Sequence, residues 1–141
     1  MKTKLALILL TLSTFTQAAN IQYHGNWRVE HDTAYSNYSS LNGKEELVIE
    51  CQLGTVVVNS FDAESGKELS SNDDGATVIV NGLSYPSLRD DGERKAFYNA
   101  LGKRSGYIQL VSAGGKTKTH PLKGLNKEIE RVEWDLSDCR E

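Results

Sequence analysis

The chain has 141 residues, with 16 Lys+Arg against 19 Asp+Glu, two Cys, 38% apolar and 25% charged residues. This excludes a disordered chain, a collagen-like repeat and a multi-span membrane protein, and fits one ordinary domain. The net charge of −3 becomes −5 (14 basic against 19 acidic) once a leader carrying Lys2 and Lys4 is removed, so neither nucleic acid nor an anionic membrane surface has a general electrostatic footprint here.

Residues 1–19 read as a secretory signal peptide: Lys2 and Lys4, an apolar run Leu5–Leu12, and small residues ending at Ala18 and Ala19. The run is too short to span a membrane, which takes roughly 20 apolar residues. No Cys lies near the cut to carry a lipid. The expected product is one domain over 20–141, periplasmic or secreted, with no integral membrane segment. In that oxidising space Cys51 and Cys139 are an even pair and read as one disulfide. On the chain-entropy model, closing so long a loop stabilises the fold by about 4 to 5 kcal/mol.

Trp27, Val29 and His31 alternate with polar neighbours and predict the first strand of the mature domain. Asp32 to Lys44 is polar and turn-rich and predicts an exposed loop carrying Tyr35 and Tyr38. Leu47, Ile49, Cys51 and Leu53 alternate, a break follows at Gly54, and the β-branched run Thr55–Val58 resumes, giving two strands with Cys51 pointing inward. Asp62 to Gly75 predicts a surface hairpin or long loop, and Ala76–Val80 a strand closed by Asn81-Gly82.

Asp90 followed by Glu93 forms a capping-box pattern that starts a helix, with Ala96, Phe97, Ala100 and Leu101 on one side and Gly102 as its stop. Tyr107–Val111 and Lys116–Leu122 then predict an edge hairpin around Ala113-Gly114-Gly115. Leu125, Ile129, Val132 and Leu136 share one helical stripe, although the alternation of Val132, Trp134 and Leu136 equally suits a strand. The total is an α+β fold: an antiparallel sheet or sandwich of about six or seven strands, two short helices in the C-terminal half, and one disulfide.

Catalytic signatures are lacking. His24, His31 and His120 have no metal-ligand spacing, and no nucleophile elbow, Walker-type loop or Ser-x-x-Lys occurs. No metal or cofactor is expected, and the chain reads as a non-enzyme. Asp62, Glu64 and Gly66 fail as a calcium loop, because the fifth position is glycine and the sixth is Lys67. Asp90, Asp91 and Glu93 serve a helix start, with a minimal envelope glycan hydrolase as the competing use of the same carboxylates. What remains is surface, where Tyr35 and Tyr38 are the candidate partner-binding residues and Trp27 and Trp134 are assigned to the core.

Trp27-Arg28-Val29, Leu47–Cys51 with the Val-rich strand after it, Arg94–Leu101, Pro121-Leu122-Lys123-Gly124-Leu125 and the closing Cys139 together resemble small secreted bacterial proteins of the VasI and invasion-associated (IalB-like) type. Locally, Glu50–Val58 is similar to Cys-containing strands of periplasmic lysozyme inhibitors. The resemblance implies a secretion-linked periplasmic factor, including type VI secretion, or an immunity protein. The expected partner is a protein: a toxin, a hydrolase or a secretion component. The expected action is occlusion of a secreted cell-wall-degrading enzyme, with a secretion-system accessory role as the alternative.

Overall fold

The computed structural model describes residues 20–140; the leader expected over residues 1–19 lies outside them. The chain opens on a meander in which each strand pairs antiparallel with the next: β1 (Asn20–His24), β2 (Trp27–His31), β3 (Tyr35–Asn42), β4 (Glu45–Gln52), β5 (Thr55–Asp62) and β6 (Glu68–Ser70). Alternation of buried and exposed positions through the middle of β2 to β6 makes the sheet two-faced. Val29, Tyr38, Ile49 and Val58 stand opposite one another on successive strands and are all fully buried.

Two expectations change here. The first strand of the described domain is β1, one hairpin earlier than Trp27. The segment read as the 32–44 loop is mostly strand β3. Its polarity misled because two inward positions are serines, Ser36 and Ser40, rather than apolar residues, and each hydroxyl is satisfied by a histidine.

A second sheet follows, built from β7 (Thr77–Val80), β8 (Leu83–Tyr85), β9 (Tyr107–Ser112), β10 (Gly115–Lys116) and β11 (His120–Pro121). Its order is β10-β9-β7-β8, and β11 also pairs with β9. The strand expected at an edge, β9, is therefore interior, between β7 on one side and β10 and β11 on the other. It packs against β5 and β6, while β11 packs against β3. The indole of Trp27 donates to Pro121 O at 2.8 Å across the two sheets.

Helix α1 (Asp91–Leu101) joins β8 to β9. Asp90 caps it, its carboxylate accepting from Glu93 N at 2.8 Å. Glu93 completes a different contact from the reciprocal one of a capping box, accepting from Ser87 N at 2.9 Å. Its buried side is Arg94, Phe97, Tyr98 and Leu101, whereas Ala96 faces solvent.

The final stripe breaks after one turn. Helix α2 covers only Asn126–Arg131, Val132 is extended, and Trp134–Leu136 is a 3₁₀ turn, so residues 132–136 form neither a continued helix nor a strand. Leu125, Ile129 and Trp134 enter the core and Leu136 is exposed. The chain end is fixed by Cys139, bonded to Cys51 on β4 with Cα atoms 4.5 Å apart. This is the α+β architecture with one disulfide that the pattern predicts. No described helix is long and apolar enough to cross a membrane.

Candidate protein-docking face

All three histidines, isolated in sequence, meet a glutamate from a distant element. His120 is fully buried and lies between Ser40 Oγ at 3.1 Å and Glu45 Oε1 at 2.8 Å, with Glu45 also accepting from Lys118 N at 2.9 Å. His24 and His31, on the inner face of β1 and β2, both approach the fully buried Glu128 of α2, His24 at 3.2 Å. Arg131 adds two contacts to the same carboxylate, at 3.2 and 2.6 Å. Burial opposes ionisation of Glu128, but the hydrogen bonds and charges of Arg131 and His31 outweigh it and hold the carboxyl below its ordinary range.

The network extends through His31 to Ser36 at 2.6 Å, and from Ser36 to Asp138 at 2.5 Å. Ser36 has one hydroxyl hydrogen. Ser36 donates it to Asp138. The result resembles a nucleophile–base–acid chain, but Ser36 is 1% exposed and offers a substrate no access. It is a latch holding β1, β2, α2 and the C-terminal segment together. Among the described residues, no group of three His, Cys, Asp or Glu side chains could hold a metal ion.

The proposed hydrolase carboxylates have structural jobs. Asp90 caps α1, Asp91 pairs with Arg94 at 2.9 Å, and Glu93 holds Ser87 N. Asp62 closes its turn by accepting from Glu64 N at 2.9 Å, which lowers its pKa.

The two tyrosines chosen as partner contacts part ways. Tyr38 faces inward and is fully buried among core residues; burial pushes its phenol up to about 12. It has no surface to offer, and the expectation of a Tyr38 contact is corrected to a core role, because strand alternation puts residue 38 opposite Val29 and Ile49. Tyr35 lies on the other face, half-buried, with its hydroxyl 3.5 Å from Glu30. Its phenol is raised by partial desolvation, with Glu30 and Asp32 adding to the effect. Glu30 is bound on its other oxygen by Arg28 at 3.0 Å.

Among the described residues, that other face is the exposed side of the six-stranded sheet. Register fixes its rows: Tyr23, Arg28, Ser39, Val48, Asn59 and Ser70; Glu30, Asn37, Glu50 and Val57; Leu41, Glu46, Phe61 and Glu68. From β2 to β6 it holds four glutamates against one arginine. Tyr23, Leu41 and Phe61 are large apolar groups at 71%, 58% and 46% exposure. With strands about 4.8 Å apart, the face is about 25 Å across, enough for a standard interface of ~800 Å² per partner. Two grooves cut it. One of about 430 Å³ runs past Glu46, Val48, Phe61 and Glu68, and one of about 600 Å³ past Tyr35, Glu50, Leu53 and Val57.

The sequence gives the composition of this face but hides its extent, since reading 32–44 as a loop removes the strand at its centre. No family model, curated protein or solved structure matches the chain.

Proposed function

We propose that the protein is a binding protein that acts by occlusion, covering a secreted cell-wall-degrading toxin or enzyme as an immunity factor or inhibitor in the periplasm. The observation that carries this reading is the exposed, acidic, aromatic-bearing face of the six-stranded sheet, on a fold in which Ser36, His31 and Glu128 are tied to one another away from that face. Such a face suits a basic partner, because complementary charge speeds docking and fixes its register. The leader-like residues 1–19, the single disulfide and the resemblance to VasI and IalB-like secretion proteins support an envelope setting.

The test is clearing of a cell-wall suspension by a panel of purified peptidoglycan hydrolases: muramidase, glucosaminidase, amidase and endopeptidase. Equimolar protein is expected to inhibit at least one of them. Inhibition should weaken as ionic strength rises and on Glu50→Lys, which reverses a charge at the middle of the face. Clearing unchanged across the whole panel overturns the inhibitor reading.

A further inference from the structure

We infer that the groove around Phe61 is an anchor pocket for a single arginine side chain projected by a basic protein partner. The inference rests on the docking reading above and adds the chemistry of its central contact. Phe61 sits on β5 with Glu46 directly opposite on β4 and Glu68 directly opposite on β6, and Leu41 extends the row on β3. Glu46 and Glu68 are thus two strand spacings apart, roughly 10 Å, with an exposed aromatic ring between them.

An open sheet gains from an exposed ring when it packs on apolar or β-branched cross-strand neighbours. Here both direct neighbours are carboxylates, and neither stabilises the other. Asp73 lines the same groove, its carboxylate accepting from Ser70 N at 2.9 Å. Among the described residues, none of Glu46, Glu68 and Asp73 has an ion-pair partner, whereas Glu30 on the same face is engaged by Arg28 and Glu50 accepts from Asn59 at 2.9 Å. The groove also has an apolar wall, the partly exposed Val48.

These features match arginine part for part. A planar guanidinium stacks on an aromatic face and presents its hydrogens in its own plane, outward, to carboxylates on either side, and its methylene stem lies along an apolar wall. A lysine ammonium is a compact, strongly hydrated charge and lacks the stacking plane. Arginine is also among the residues most enriched at interface hot spots.

The test uses the folded protein and three short blocked peptides, acetyl-Gly-X-Gly-amide with X as arginine, lysine or citrulline, followed by backbone amide NMR. Arginine should give saturable shifts centred on Glu46, Phe61 and Glu68, with citrulline, its uncharged near-isostere, at least fivefold weaker and lysine between them. Phe61→Ala and the pair Glu46→Gln/Glu68→Gln should each weaken arginine binding about tenfold, with amide positions elsewhere unchanged as the check on folding. Equal response to arginine and citrulline, shifts spread evenly over acidic loops such as 62–66, or binding unaltered by the substitutions overturns the pocket. That failure would leave the hydrolase-clearing result untouched, and a panel with no inhibited enzyme would leave this titration untouched.

Discussion

Glu128 shows how a single residue takes its character from partners a hundred positions away. In sequence it is one of several charged residues in a short helix, and its neighbours do not announce that His24 and His31 will meet it. The spacing rules for metal and catalytic sites look along the chain, so a contact made across a sheet and a helix is invisible to them. The buried carboxylate is ionised in the fold, and its pKa lies below the ordinary carboxylate value. The sign follows: its contribution to stability is complete above the unfolded-state pKa and is lost as pH falls through the folded one, so the loss begins below about pH 5. Glu128→Gln keeps the shape but removes the acceptor charge, and should cost about 2 kcal/mol at pH 7. Urea titrations of both proteins from pH 7 to pH 3 check this: the gap between their midpoints should shrink on acidification. A constant gap would show that ionisation of Glu128 plays no part.

At the scale of elements, turns and caps were more legible than strand partners. Asp90 and Glu93 placed the start of α1 correctly, and the break at Gly54 is a two-residue hairpin joining β4 to β5. That hairpin contains a mismatch. Leu53 has φ 46 and Gly54 φ 77, the left-handed pair that favours Asn-Gly, and Leu53 is 74% exposed, so its side chain gains little in return. Leu53→Asn should therefore stabilise the protein by about 1 kcal/mol, seen as a higher thermal midpoint; an unchanged or lower midpoint would mean that Leu53 makes a compensating contact. Gly124 is the opposite case. At φ +99 a Cβ there would lie 2.6 Å from His24 O, so the backbone after β11 can pass the β1–β2 turn only as glycine. The two elements misread from sequence failed for physical reasons. β3 has serines on its inward face, and the stripe continuing past Ile129 stops because Val132 is extended, letting Tyr98 O–H donate to its carbonyl.

For the whole molecule, α+β class, the disulfide and a Trp27–Trp134 core were legible because they depend on hydrophobic alternation and cysteine count. Which strands make up each sheet was not, since pairing of β9 with β7 bridges an intervening helix. The Cys51–Cys139 bond ties an interior strand of the first sheet to the last residues described. Replacing both cysteines by serine should cost about 2 to 5 kcal/mol, and hydrogen exchange should rise first around Ile129, Trp134 and Asp138, before the β3–β4–β5 amides. Uniform loss of protection would mean that the bond supports the whole fold evenly. The meander topology has a further consequence, for the order in which the chain can assemble. Five successive hairpins need only residues 20–70, and pairing between sequence neighbours closes short loops, so this sheet can zip together while the rest of the chain is still being delivered. Cys51 is laid down early in that process, yet its partner lies 88 residues further on. From the moment the first sheet exists until Cys139 is delivered, the inward-facing thiol of Cys51 must stay unreacted, open to wrong pairing with a second molecule.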